Sequence, residues 1–287
     1  MRAVTALLSA ALLTTSCATQ VALIPEYKAE IDKWRADRET RLKADNGWLT
    51  LVGLFWIEQG VSKIGSDPGS EVPLPTSLPK ELGTITLKDA IAEFKPAAGV
   101  ALKPVTMHDD EKKDYEVISI GSVSFYLIER GGRYGIRVKD TNSPARTNFA
   151  GLDWYGTDPS WSVEAKLTPA PHTVVFDTEV GVKQEGDSPG YLEFDRNGQH
   201  YKLDAVAEEG ELFLVIRDAT SGKTTYAASR FLYAALPDKD GRTRLDFNKA
   251  YNPPCVFTPY ATCPLPPQIN RLATPIEAGE KKYKGQA

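Results

Sequence analysis

The sequence holds few of the residues and few of the motifs that usually announce chemistry. There are three cysteines and three histidines in 287 residues, and His108, His172 and His200 stand far apart with no ligand-like spacing. No P-loop, helix-preceding GxGxxG or HExxH occurs, which removes the usual nucleotide, dinucleotide and zinc-protease signatures. Seven residues separate Cys255 from Cys263, a spacing uncommon for zinc and short of two further ligands. No metal and no cofactor are therefore expected. A strong charge of one sign is lacking too. With a net charge of −4 and no basic run interleaved with aromatics, nucleic acid is not an expected partner. After the first twenty residues, no apolar run approaches the roughly eighteen needed for a helical membrane span.

The N-terminus does carry a signal. Arg2 precedes an apolar stretch, Ala3 to Leu13, and the small residues Thr14, Thr15 and Ser16 lead to Cys17. This pattern resembles a bacterial lipoprotein signal over residues 1–16, with Cys17 lipidated as the mature N-terminus. Thr14 stands where such signals usually have Leu, and a plain secretory signal is the alternative. Either reading exports the chain to the periplasm or cell surface. The lipoprotein reading gives it a membrane partner through the anchor on Cys17. Export leaves Cys255 and Cys263 as an even pair in a compartment where disulfides persist, so they are expected to be bonded.

With 41% hydrophobic and 25% charged residues, the remainder has the composition of an ordinary globular protein. Residues 17–45 read as a linker and an amphipathic helix over 25–45, with Tyr27, Ile31, Trp34 and Leu42 at near-helical spacing and Asn46-Gly47 as its stop. From "WLTLVGLFWI" onward, short strands alternate with turns such as Asp67-Pro68-Gly69 and Gly131-Gly132. Residues 46–142 are expected to form a β-sandwich. The stretch containing Pro144, Gly151, Trp154, Tyr155, Gly156, Pro159 and Trp161 breaks the rhythm and marks a boundary. Its aromatics suit either a ligand platform or domain packing. Residues 143–287 read as a β-meander able to close into a barrel, with a firm hairpin at Asn197-Gly198. The fold class is thus all-β, mainly antiparallel, with an N-terminal helix.

The stretch "DFNKAYNPPCVFTPYATCPLPPQINRL" sets six prolines between Pro253 and Pro267 beside polar residues. In this loop, 250–272, the proline-restricted backbone and the expected disulfide make a rigid clamp. Arg230 falls on one predicted strand and Asp246 with Asn248 on the next, where alternation puts both on one face. Two readings stand. An Arg–Asp pair and Asn side chains tie the loop to the barrel rim, or Arg230, Asp246, Asn248, Tyr251, Asn252 and Thr258 line a small pocket. The functional expectation is a module binding a small ligand or a peptide near residues 246–270. The alternatives are a small-molecule enzyme, such as a hydrolase, using Arg230, Asp246, Asn248 and Cys255, and a purely structural envelope lipoprotein.

Three segments, "GWLTLVGLFWIEQG" with "IGSD", "RYGIRVKD" with "FAGLDWY", and the proline loop followed by "IEAGEK", resemble a bacterial family known as domain-of-unknown-function family 1684, over about residues 28–281. That resemblance implies no activity. The strand order of the first half also resembles a forkhead-associated β-sandwich. Ser66 after Gly65, and "KELGT" downstream, replace the residues by which those domains read phosphothreonine, so no phosphothreonine peptide is expected as a partner.

Overall fold

A computed structural model describes residues 24–285; the leader expected over 1–16 and the lipidation residue Cys17 lie outside the described residues. Helix α1 spans Pro25–Lys43. Pro25 opens it where a missing N–H costs nothing. Glu26 in the first turn and Arg41 and Lys43 in the last match the helix dipole. Gly47 ends the segment, and a Cβ there would run into the carbonyl of Leu42.

The segment after Gly47 does not begin as a strand. Residues Trp48–Thr50 form a 3-10 turn. Nine strands come next: β1 Leu51–Ile57, β2 Gly60–Gly65, β3 Val72–Pro73, β4 Gly83–Lys88, β5 Ile91–Pro96, β6 Val105–Met107, β7 Ile118–Ile120, β8 Val123–Arg130 and β9 Arg133–Asp140. They make two sheets, β1-β9-β8-β7 and β3-β2-β4-β5-β6. All pairings are antiparallel except β2 with β3. One apolar core joins both sheets, drawing Ile64, Ile85 and Phe94 from one and Phe125, Ile136 and Val138 from the other. Period-2 alternation on β9 leaves Arg137 and Lys139 on the opposite face.

The second unit has six strands: β10 Ser162–Asp177, β11 Lys183–Arg196, β12 Gln199–Glu208, β13 Glu211–Ile216, β14 Arg230–Ala235 and β15 Arg242–Asp246. Their order, β14-β13-β12-β11-β10-β15, is antiparallel throughout. The two ends curl together, where the Thr243 hydroxyl donates to the Ala235 carbonyl at 2.7 Å. The result is a nearly closed barrel whose interior is filled by Leu192, Phe194, Leu203, Leu214, Leu232 and Phe247. Asn197 (φ 51°) and Gly198 (φ 74°) make the β11–β12 turn, as the Asn-Gly pair predicts for a type I′ hairpin. The segments "SVEAKLTPA" and "HTVVFDTEV" look like two strands in sequence but form the single strand β10. It bends at a register shift between Pro169 and His172, a bulge that relieves the prolines of ladder bonding.

Alternation divides the side chains of β14 between two environments. Leu232 and Ala234 face the barrel interior, while Phe231 and Tyr233 belong to an outer cluster with Phe213, Val215, Cys255 and Cys263. The proline loop therefore packs on the outside of the barrel. Its cysteines are joined as a disulfide with Cα atoms 6.2 Å apart.

Candidate functional site

Although α1 precedes the first unit in the chain, it lies across the second. The Tyr27 hydroxyl donates to the Asp246 carboxylate at 2.8 and 2.9 Å, and Lys249 pairs with Glu30 at 2.6 Å. Arg35 Nη2 donates to the Tyr155 carbonyl at 3.0 Å and Arg38 Nη2 to the Asn252 carbonyl at 2.9 Å. Ile31 and Leu42 are fully buried beneath the helix. Tyr27, Glu30, Trp34, Arg38 and Arg41 recur at three- and four-residue steps and so share one face. Between that face and the outer wall of β13 and β14 runs a cleft of about 1280 Å³, which reaches Trp48 and Tyr251.

Aromatic rings form a continuous stripe along it. Trp154 meets Trp34 edge-on at 5.7 Å, Trp34 meets Tyr251 at 6.2 Å, Tyr251 lies nearly parallel to Tyr233 at 6.5 Å, and Tyr233 meets Phe213 at 4.9 Å. The Arg38 guanidinium sits 4.5 Å over the Tyr251 ring, a favourable cation–π placement. The Tyr233 hydroxyl donates to Glu208 at 2.7 Å. Burial, helped by the neighbouring Tyr251 hydroxyl and Glu208, holds Tyr233 well above the usual phenol range. Burial likewise pushes Tyr251 up to about 12. Both remain protonated donors near neutral pH.

Behind Arg38 lies a buried ionic node. Glu280 is 0% exposed. Its carboxylate accepts from the Asn252 side-chain amide at 2.6 Å and backbone N–H at 3.2 Å, and stands 3.6 Å from Arg38 Nε. Burial raises the Glu280 carboxyl to about 7, against the opposing pull of Arg38 and the Asn252 hydrogen bonds. This node fastens α1, the proline loop and the C-terminal segment to one point.

Of the residues singled out from sequence, Asp246 and Tyr251 line the cleft. Arg230 does not, and its partner is not Asp246. As an even-numbered residue of β14 it points inward, 1% exposed, where Asp218 pairs with its Nη2 at 2.8 Å and the carbonyls of Ala278 and Ile276 accept from its Nη1 and Nη2. A charge inside a barrel must be paired, and that pairing makes Arg230 structural. Strand alternation does not extend past Asp246 either. Phe247–Lys249 turn into a 3-10 helix capped by the Asp246 side chain. Asn248, fully buried, donates to the Asp158 carbonyl at 2.8 Å and to the Tyr27 hydroxyl at 3.0 Å. Asn252 is occupied by Glu280 and the Lys281 carbonyl. Thr258 donates to the Leu51 carbonyl at 3.1 Å, tying the loop to the first unit. Of the boundary aromatics, Trp161 packs against Phe247 in the core, while Trp154 supports Trp34.

Sequence reasoning alone misses Arg38, Trp48, Glu208, Tyr233 and Glu280. The three-and-four spacing from Tyr27 to Arg41 is the available signal for the helix face; Glu280 carries none. One cluster looks like a hydrolytic triad and is not wired as one. Asp204 lies in the middle, accepting from Ser188 at 2.8 Å and contacting His172 Nε2 at 2.9 Å. His172 therefore does not touch the hydroxyl, because the Asp204 carboxylate stands between them, and Ser188, although within the GxSxG run 186–190, lies inside strand β11 and not at a strand-to-helix elbow.

Residues 147–281 match the family described as "Protein of unknown function (DUF1684)". The chain belongs to that family. The match is narrower than the span of 28–281 over which the sequence resembles it, and holds the barrel wall, the proline loop and Glu280. The DUF1684 match leaves out α1 and Trp48, which form the facing side of the cleft. An uncharacterised protein of Haloarcula marismortui, solved in solution by NMR, is 34% identical over 49% of this chain and 81% of its own, with a TM-score of 0.41. No curated protein matches significantly.

Proposed function

We propose that this DUF1684 protein is an exported lipoprotein of the cell envelope, anchored through Cys17, that binds a small ligand or an extended peptide in the cleft between α1 and the barrel wall. The observation that carries the binding reading is the helix face itself. A helix that only covered a barrel would turn apolar residues toward it. This one packs Trp34 and Arg38 onto partly exposed Tyr251 and turns Arg41 to the same cleft, which Tyr233 also lines. Aromatic walls with a few convergent polar groups are the make-up of a ligand site. The enzyme alternative draws on Cys255 and Arg230, and these are held by Cys263 and Asp218.

The binding reading is tested by native mass spectrometry of the protein purified from its own cells, with and without Trp34→Ala. A retained species lost in the variant supports the cleft; a retained species unaffected by it, or an empty protein whose tryptophan fluorescence ignores cell-envelope extract, overturns it. The anchor is tested by labelling with radioactive palmitate, which Cys17→Ala is expected to abolish. Undiminished labelling, or none in the parent, removes the lipoprotein assignment.

A further inference from the structure

The cleft's charges and rings together restrict what it can hold. Its basic side chains are Arg38, Arg41, Arg244 and Lys249. Four carboxylates, those of Glu30, Glu208, Glu211 and Asp246, share the same walls. The charges balance, so the cleft offers no net attraction to a phosphate or polyanion, and any such ligand would lie near acidic groups that repel it. A strongly apolar ligand is equally ill matched, because closing over it would strip water from the exposed charges of Arg41, Glu211 and Arg244 without giving them partners.

A neutral polyol meets both conditions. A sugar ring presents a face of C–H groups that packs flat on an aromatic ring, and a rim of hydroxyls that both donate and accept. Carboxylates accept from hydroxyls and guanidinium and phenol groups donate to them. Here the partly exposed rings of Trp34, Trp48, Tyr233 and Tyr251 share the lining of one cleft with Arg38, Arg41, Glu208 and Glu211. These rings bury much apolar area at little rotamer cost. The volume of about 1280 Å³ exceeds the roughly 300–1,000 Å³ typical of a single drug-sized ligand, which favours a chain of units over one.

We infer that the cleft binds a neutral oligosaccharide, several sugar units running along the Trp34–Tyr251–Tyr233 stripe. This rests on the cleft being a binding site. The test is a titration of the purified chain with neutral β-linked oligosaccharides of glucose and of N-acetylglucosamine, from about two to about six units. An uncharged extended peptide and inorganic phosphate serve as parallel probes. Binding is read by tryptophan fluorescence and calorimetry. The expected result is saccharide affinity that grows with chain length and holds from about 0.05 to about 0.5 M salt, since a neutral ligand is not screened. Tyr233→Ala should weaken it about tenfold, the loss of one ring platform. Tyr233 also packs on Phe213, so Glu211→Gln on the exposed rim provides a second variant that leaves the packing intact and should weaken saccharide binding too. Peptide binding without saccharide binding overturns the glycan assignment while keeping the cleft. Affinity that collapses with salt, or competition by phosphate, overturns neutrality of the ligand. Saccharide binding unchanged in both variants places the glycan elsewhere and overturns the proposal, whereas the retained-ligand experiment judges the cleft independently.

Discussion

The Tyr27 hydroxyl reaches both carboxylate oxygens of Asp246, joining the first turn of the N-terminal helix to the last residue of the final barrel strand. The same hydroxyl oxygen accepts from the Asn248 amide at 3.0 Å, so Tyr27 is both donor and acceptor in a closed network. Burial, then the Asp246 charge, raises its pKa above the usual phenol range, so the donor persists at any physiological pH. Tyr27→Phe removes a hydrogen bond to a charged group and leaves the Asn248 amide one partner fewer. A loss of about 1.5–3 kcal/mol in urea unfolding is expected, with faster hydrogen exchange in the first turn of the helix. Unchanged exchange there would mean that Ile31 and Leu42 alone dock the helix.

Glu280 predicts a pH dependence. Its folded pKa of about 7 lies above the unfolded value of 4.5, so the native state holds its proton more tightly than the unfolded chain. The contribution is fully present below about pH 4.5 and is lost as pH rises through about 7, because ∂ΔG/∂pH is negative where the native state binds more protons. A difference of this size corresponds to about 3 kcal/mol. Unfolding free energy measured from pH 4.5 to 8 should carry this decline in the parent and lack it in Glu280→Gln, which cannot titrate. Parallel curves would show that Glu280 ionises normally. Glu280→Ala should cost about 3–5 kcal/mol at neutral pH, since it strands Arg38 without its countercharge.

The Cys255–Cys263 link closes a short loop with a sequence separation of 8. Loop-closure entropy for so short a ring gives about 2–3 kcal/mol. The oxidised protein should show no free thiol from this pair under denaturing titration. A Cys255→Ala/Cys263→Ala double variant should lose roughly that stability and leave the barrel folded. Two reactive thiols in material from an oxidising compartment would refute the clamp and reopen Cys255 as a nucleophile.

How much of this is legible in the sequence depends on the range of the interaction. Alternation and turn chemistry are local, so the β class, the Asn197-Gly198 hairpin and a helix stop ahead of Gly47 follow from neighbouring residues. The Cys255–Cys263 pairing is also readable, since so few cysteines leave one combination once Cys17 is set aside. The cleft is not. Its two walls come from residues 27–48 and 208–251, and nothing local says that a helix preceding the sandwich crosses to the barrel behind it. Arg230 shows a finer limit. Its strand is recognisable, but choosing Asp218 over Asp246 as partner requires knowing which face of β14 turns inward.

Arg230 is where the structural and ligand-binding readings differ most sharply. Its guanidinium is enclosed at one end of the barrel with Asp218, and each side chain is 1% exposed. The Asp218 carboxylate also accepts from the Thr220 hydroxyl at 2.6 Å and the Ile276 backbone at 3.1 Å, so the pair orders the C-terminal segment that carries Glu280. Arg230→Met keeps the bulk and removes the charge, leaving Asp218 buried without its ion partner. The expected cost is about 3–5 kcal/mol, read as a lowered unfolding midpoint. Under conditions where the variant remains folded, affinity for a cleft ligand should be unchanged, because Arg230 lies inside the wall and the cleft outside it. A variant of parental stability with weakened ligand binding would reverse the assignment and put Arg230 back among the binding residues.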